Sequence, residues 1–324
     1  MRFFLLFFGS FFVSFVLWVA FVFFEAGNPT KMSQWIYDVY AKKERLAKKI
    51  HGKKIVLVAG SNALFGIDSA MLEKKFGMPV LNDSVNAGIE LPCVLYMAKK
   101  VIRRGDTVLM PLEYPMYSYD GTPGMQMIDF VLSREPLCFF HLRLKEEFYI
   151  LWHVGFKRVW DGYFDKSKKA VTQGLYGAHH INAYGDQTET SVKNRSAAFY
   201  KEVLSHVKKP EKYGKSFSKN ALGWEYLAQF MQWCKQRDVK VIFMPSTLMW
   251  DDSYKQNPTE RWFYEHIADE VRRRGWIFVG KPYDYMYPKE MYFNTNFHLI
   301  DTARKKRTLQ MIKDLSKSKC LNNI

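Results

Sequence analysis

The sequence predicts an α/β fold built on a parallel, doubly wound sheet and preceded by a helix that crosses a membrane. Three observations lead to this prediction. Residues 3–24 contain no charged side chain. From residue 54 onward, short apolar runs of strand length alternate with stretches of helical periodicity. Three such strand–helix units fall within residues 54–113, which favours parallel strands joined by right-handed crossovers.

The apolar stretch comes first in the chain. As a helix, residues 3–24 would span about 33 Å, enough to cross the hydrocarbon core of a bilayer. A cleaved signal peptide is the alternative, but the run is long for one and no small-x-small site directly follows it. We therefore expect a single-pass, uncleaved anchor over residues 1–25. By the positive-inside rule, the lysine-rich stretch from Lys42 would place the body in the cytoplasm. This conflicts with a location outside the cytoplasm, which the candidate site described below implies.

Residues 26–53 predict an amphipathic stem, either packed on the domain or lying at the bilayer surface.

Positive charge is concentrated near the two ends of the chain. Residues 25–54 and 301–324 together supply +10 of the formal +16. Basic segments beside an anchor suit anionic lipid, and the chain has no nucleic-acid-binding motif. We expect a membrane partner and no nucleic-acid partner.

Cysteine and histidine spacing gives no support for a metal site. The four cysteines form no CxxC pair, which argues against a zinc site and a disulfide scaffold but leaves one disulfide bridge open in an oxidising compartment. Adjacent His179 and His180 point in different directions along a chain, so a structural or substrate-facing role is favoured over metal binding. No metal or cofactor is expected.

One domain is predicted over residues 54–324. Regularity lapses over residues 115–220, which predicts a large insertion or lid over the carboxyl edge of the sheet. The predicted strands cover residues 55–59, 79–84, 107–112, 240–244 and 276–279. The predicted helices cover residues 61–76, 91–104, 222–237, 260–274 and 301–316.

Ser61 is the first candidate for chemistry, because it follows the first predicted strand at the start of a helix. A serine there is either a helix cap or a nucleophile. A nucleophilic serine needs a base, and His298, just before the last helix, can return to the same edge of the sheet. The base needs a group that fixes its tautomer. The nearest candidates are Asn294 and Thr295, and neither is an acid.

Four segments, AGSNALFGID, NAG, GDTVLMPLEY and NFHL, resemble the SGNH (GDSL-like) hydrolase superfamily. They are most similar to its membrane-anchored branch in cell-envelope acylation, as in alginate acetylation and teichoic-acid D-alanylation. The resemblance covers most of residues 54–113 and 220–316. It implies a flavodoxin-like doubly wound sheet, Ser61 as nucleophile, His298 as base, and an oxyanion held by the N–H groups of Ser61 and Gly88.

The chain departs from this family pattern at two places. The aspartate of the DxxH motif falls on Thr295, so Asn294 would have to orient the histidine. The third strand ends in Glu113 where the family has an oxyanion asparagine. Glu113 is thus a candidate for substrate contact or triad support. The missing acid could also come from the aspartates Asp251, Asp252 or Asp284.

The resemblance implies an acyltransferase or esterase acting on acetyl-type esters of a cell-envelope polysaccharide through a serine acyl-enzyme. It would lie in the inner cell membrane with its body periplasmic or extracellular, and a membrane-bound O-acyltransferase is a candidate partner. The alternative is a catalytically degraded SGNH fold that binds glycan or scaffolds an envelope assembly complex. A third alternative rests on charge alone: a protein that faces the cytoplasm and binds nucleic acid or a lipid surface.

Overall fold

The computed structural model describes residues 2–164 and 174–321. Residues 165–173 of the predicted insertion, and residues 322–324 at the end of the predicted domain, lie outside this description. The strands are β1 (Ile55–Leu57), β2 (Val80–Asn82), β3 (Thr107–Met110), β4 (Lys240–Phe243), β5 (Leu248–Met249), β6 (Ile277–Phe278) and β7 (Met286–Tyr287). A five-stranded parallel sheet of order β2-β1-β3-β4-β6 forms the centre, and a second parallel sheet pairs β5 with β7. The prediction of an α/β fold with a parallel sheet is confirmed.

Strand β1 is an interior strand of the sheet, and its residue Ile55 pairs with Val80 on one side and with Thr107 on the other. All three residues of β1 are buried, as strands covered on both faces require. From β1 the chain adds β2 on one side and later β3 on the other. The connections after β1 and β3 therefore leave the carboxyl edge in opposite directions, and such a point opens a crevice where parallel sheets bind ligands.

The described residues form sixteen α-helices. The helices are α1 (Arg2–Phe24), α2 (Gln34–Lys49), α3 (Ser61–Gly66), α4 (Ser69–Phe76), α5 (Glu90–Val101), α6 (Tyr114–Tyr117), α7 (Met125–Ser133), α8 (Pro136–Phe139), α9 (Leu144–His153), α10 (Phe156–Phe164), α11 (Ala197–Lys208), α12 (Tyr213–Ser216), α13 (Leu222–Lys235), α14 (Ser253–Gln256), α15 (Pro258–Arg273) and α16 (Asp301–Ser318).

The N-terminal helix α1 is long and apolar enough over Phe3–Phe24 to span a membrane. The next helix, α2, packs on the α/β body and contributes to the same core, with Ile36 and Val39 fully buried. Lys43 of α2 is also buried, and its ammonium group donates a hydrogen bond to the Ser84 carbonyl after β2. Burial lowers the pKa of Lys43 to about 7. The segment predicted as a stem is thus in contact with the sheet.

Between β3 and β4 the chain runs through helices α6–α13. Part of this connection lies beside the carboxyl ends of β1 and β2. The Tyr184 carbonyl accepts the N–H of Asn82 at 2.8 Å, and the Gln187 N–H donates to the Leu64 carbonyl at 3.1 Å. Asp186 accepts the Ser69 hydroxyl at 2.6 Å. Residues near 182–187 therefore border the edge at which Ser61 is placed.

One local difference from the prediction lies in the helix expected after the first strand. Residues 61–76 were expected as one helix, but the chain forms α3 and α4, separated at Ile67 and Asp68. Asp68 is extended and its carboxylate accepts the Met71 N–H, so it begins a new helix as an N-cap. The small sheet of β5 and β7 was not predicted, because two-residue strands leave no periodic signal.

Candidate active site

Ser61 is the first residue of α3, four residues beyond the last paired residue of β1, and it is partly exposed. The N–H groups on either side of it, those of Gly60 and Asn62, donate to Glu113. Within the described residues the Ser61 N–H donates to no acceptor, as is usual in the first turn of a helix. The turn is thus fixed on both sides of the serine, while the serine keeps a free backbone donor.

Glu113 follows β3 and is 2% exposed. Its two carboxylate oxygens accept the Gly60 N–H at 2.8 Å and the Asn62 N–H at 2.9 Å. Negative charge at the start of a helix is also favourable to the helix dipole. The structure therefore places Glu113 beneath the Ser61 turn, as a positioning group, rather than beside His298.

A buried arginine supports the same turn from α16. Arg307 is fully buried and donates to the Asn62 carbonyl and to its side-chain oxygen, both at 2.8 Å. The Asn62 amide in turn donates to the Pro111 carbonyl at 2.9 Å. Gly66 leaves room for the guanidinium, since an added Cβ there would lie 2.4 Å from Arg307 Nη1.

Sequence reasoning missed Arg307, although a signal was present. It stands among lysines, where a solvated face is the ordinary expectation. It also lies four residues after Ala303 and four before Met311, on the stripe of α16 that is buried. A charged residue inside an apolar stripe indicates a buried polar contact.

His298 contacts Asn294, one of the two residues that the sequence offers for orienting its ring. His298 Nδ1 and Asn294 Oδ1 are 2.7 Å apart. The amide nitrogen of Asn294 donates to the Tyr176 hydroxyl at 2.8 Å, so its oxygen faces the ring and must accept from it. The neutral imidazole then carries its proton on Nδ1, and Nε2 keeps a lone pair. This is the tautomer that a general base needs.

The imidazole also stacks on Phe65, with ring centroids 4.0 Å apart and planes inclined by 4°. Phe65 is four residues after Ser61 on α3, and residues four apart share a helix face. His298 therefore lies on the side of α3 that carries Ser61. Among the described residues, no hydrogen bond joins the Ser61 hydroxyl to the His298 ring.

Burial dominates the electrostatics of His298. The side chain is 5% exposed, and desolvation lowers its pKa to about 3. No carboxylate in the described part of the chain hydrogen-bonds to the ring. The imidazole is therefore neutral at pH 7, which suits a base, but the imidazolium formed by proton transfer lacks an anionic partner.

The predicted oxyanion donor is engaged elsewhere. The Gly88 N–H donates to Asn86 Oδ1 at 2.7 Å. The adjacent residue Ala87 lies closer to the Ser61 turn, because a Cβ added to Gly60 would be 2.7 Å from the Ala87 nitrogen. The backbone nitrogen of Ala87 is therefore the nearer candidate for a second donor beside the Ser61 turn.

The three candidate aspartates make no described contact with His298. Asp251 accepts the Ser253 N–H at 2.9 Å, and Asp252 accepts the Trp250 indole N–H at 3.0 Å. Asp284 is exposed in a short helical turn after β6. The first two contacts are local turn contacts, so the position beside His298 Nδ1 is held by Asn294 alone.

Other features lie away from this site. In the described residues, no group of three or more His, Cys, Asp or Glu side chains is arranged to hold a metal ion. A cavity of about 820 Å³ is lined by residues such as Lys240 and Trp276, at the amino edge of the sheet. It faces away from Ser61 and adds nothing to the case for that site.

The chain matches no protein-family model, no curated protein and no solved structure. The arrangement of the residues around Ser61 is therefore the basis for assigning a function.

Proposed function

We propose that the chain is a membrane-anchored, SGNH-like acyltransferase or esterase of flavodoxin-like topology, acting on acetyl-type esters of a cell-envelope polysaccharide. The observation that carries the proposal is the placement of His298. Its ring is oriented by Asn294 and stacked on Phe65, one helical turn from Ser61. Ser61 and His298 lie at the carboxyl edge of the sheet, where the chain leaves β1 and β3 in opposite directions.

In the proposed reaction, the Ser61 hydroxyl attacks the acyl carbonyl and passes its proton to Nε2 of His298. The oxyanion is held by the free N–H of Ser61 and by that of Ala87, an interaction worth several kcal/mol when two donors are in place. Collapse of the intermediate returns the proton to the leaving alcohol and leaves an acyl-serine. A glycan hydroxyl, or water, then takes the acyl group by the same steps in reverse.

The proposal implies a slow enzyme. In a serine triad, replacing the acid by its amide costs about 10⁴ in rate. Here Asn294 fixes the tautomer but cannot stabilise the imidazolium by charge. We expect turnover to be low unless a bound partner or substrate supplies an anion near His298.

The location and partners belong to the same proposal. Helix α1 would cross the inner membrane once, with the body in the periplasm or outside the cell and residues 115–220 as the insertion over the site. A membrane-bound O-acyltransferase could supply acyl groups from the membrane. The basic segments near α1 and in α16 would suit an acidic glycan or anionic lipid.

A catalytically degraded scaffold or glycan-binding protein is the second candidate. Two observations favour it: His298 has no carboxylate partner among the described residues, and the Gly88 N–H is already occupied. In this case Ser61 would serve only as the first residue of α3.

A fluorophosphonate probe separates the two candidates. The matched pair of variants is Ser61→Ala and Ser205→Ala, because Ser205 is an exposed serine remote in sequence from the site. The enzyme proposal predicts labelling of the wild type and of Ser205→Ala but not of Ser61→Ala. Equal labelling of all three, or of none, together with no hydrolysis of an aryl acetate, would leave the scaffold as the better account.

A further inference from the structure

Helices α9 and α10 present a row of large apolar side chains to solvent. At every fourth position there is an aromatic residue or leucine, and each is between 51% and 71% exposed. Residues four apart lie on one face of a helix, so each helix shows an apolar stripe. Contiguous exposed apolar surface of this kind marks a site of contact with a protein or a membrane. The residues are Leu144, Phe148, Trp152, Phe156, Trp160 and Phe164.

This aromatic face, residues 144–164, is continuous with α1. The Trp18 indole N–H donates to the Leu151 carbonyl at 2.8 Å. Phe21 stacks against Phe156 and Tyr163, with centroids 6.4 and 5.9 Å apart. The last two turns of the apolar helix are therefore packed against α9 and α10.

No flexible linker separates α1 from the body. The Gly27 N–H donates to the Leu132 carbonyl at 2.6 Å. The Thr30 hydroxyl and the buried Arg158 both bond Asp129, at 2.6 and 3.0 Å. The chain is thus fixed to α7 and α10 immediately after α1 ends, and the body must sit directly at the membrane surface if α1 spans it.

Helix length then decides how deep the body sits. Only residues 3–17 of α1 are free of these contacts, and they would span about 22 Å as a helix. A hydrocarbon core is about 30 Å thick. The remaining distance of about 8 Å must be supplied by the turns around Trp18 and Phe21, which carry α9 and α10 with them. Interfacial helices bury their apolar faces to about this depth, 5–10 Å.

We infer that the aromatic face of α9 and α10 is embedded in the same bilayer leaflet as the end of α1, forming a second, interfacial membrane contact. Its occupant is lipid, at the boundary between headgroups and acyl chains. The composition fits, since tryptophan and other aromatic side chains concentrate at that boundary. Lys157 and Asp161 pair on the part of α10 away from the stripe, where an interfacial helix is polar.

The inference rests on α1 as the anchor but not on catalysis at Ser61. It also has a consequence for substrate access. A body held by two contacts cannot rotate freely about α1, so the carboxyl edge bearing Ser61 keeps a fixed orientation to the membrane surface.

The test uses the full chain in lipid nanodiscs and follows tryptophan fluorescence with phosphatidylcholine brominated at shallow or deep acyl positions. The test variant is Trp152→Phe/Trp160→Phe, and the matched control is Trp233→Phe/Trp262→Phe, whose tryptophans lie on α13 and α15. We expect the test variant to lose most of the lipid-quenched intensity. The control should keep it, and shallow bromines should quench Trp152 and Trp160 more strongly than deep ones.

Two results would overturn the inference. If the test variant retains the full quenched intensity, the face does not contact lipid, and a protein partner becomes its occupant. If the chain does not enter nanodiscs, α1 is not an anchor and the argument from its length fails. The Ser61→Ala chain should give the wild-type quenching, so failure of the proposed enzyme activity is a separate outcome.

Discussion

Replacing Asn294 by aspartate should restore the acid that the site lacks. The exchange is nearly isosteric and puts a carboxylate oxygen where Oδ1 lies, 2.7 Å from His298 Nδ1. Tyr176 now accepts from the Asn294 amide at 2.8 Å, and its hydroxyl can rotate to donate to a carboxylate instead. No described contact of this residue has to be given up.

The magnitude follows from the new charge pair. Opposite charges about 4 Å apart interact by about 4 kcal/mol at an effective dielectric constant of about 20. That is about three pKa units, before the cost of burying the carboxylate. The pKa of His298, now about 3, should therefore rise towards about 6. A base with a pKa nearer the working pH, and an imidazolium with a charged partner, should raise the rate by between about 10-fold and 10⁴-fold.

The assay is kcat/KM for aryl acetate hydrolysis as a function of pH, for wild type, Asn294→Asp and Asn294→Ala. In the wild type the acid limb set by His298 should lie well below pH 6, because the ring stays neutral down to its lowered pKa. In Asn294→Asp the acid limb should move to higher pH, and the plateau value of kcat/KM should rise. If Asn294→Asp folds but is no faster than Asn294→Ala, His298 is not the base.

Three other predictions concern the support of the site and the location of the domain. Glu113→Gln should lower the free energy of unfolding by about 1–3 kcal/mol and slow probe labelling, because an amide NH₂ would face one of the two N–H groups that the carboxylate now accepts. Unchanged stability in denaturant titrations would show that these contacts contribute nothing. From pH 7 to pH 5 the wild type should lose about 2 kcal/mol more stability than His298→Gln. The reason is that the unfolded histidine takes up a proton below its ordinary pKa of 6.5, whereas the folded one resists protonation until about 3. Parallel unfolding curves at the two pH values would contradict the lowered pKa. Finally, the buried thiols of Cys93 and Cys138 lie 3.2 Å apart, so in an oxidising compartment the thiol-oxidising system there should join them. Alkylation of denatured, envelope-derived chain should then modify two cysteines rather than four, and four reactive thiols would argue for a cytoplasmic body.

Much of the sheet was readable from the sequence because burial leaves a simple pattern. The run around Ile55 and Val56 is continuous and apolar, as a strand covered on both faces must be. The break between α3 and α4 was missed, since Leu64 and Leu72 keep helical spacing across it and only Asp68 signals a new start. The pattern of apolar residues indicates which side chains are buried, but it does not indicate whether one helix continues or ends and a second one begins.

The site was predictable where roles depend on local sequence, and less so where they depend on distant contacts. Asn294 and His298 are four residues apart in one short segment, and a hydrogen bond joins their side chains. The contacts of Glu113 and Arg307 with the Ser61 turn join separate parts of the chain, and no single-sequence pattern specifies such pairs. The catalytic roles assigned to Ser61 and His298 remain predictions.

The central claim is that Ser61 forms an acyl-enzyme with His298 as its base. The most direct test is to mix the chain with an activated acetyl ester, quench it in acid at short times and map the modified residue by peptide mass spectrometry. The account predicts acetylation of Ser61 in the wild type, much slower acetylation in His298→Gln and none at that peptide in Ser61→Ala. Acetyl groups found only on lysines, at the same rate in all three proteins, would contradict it.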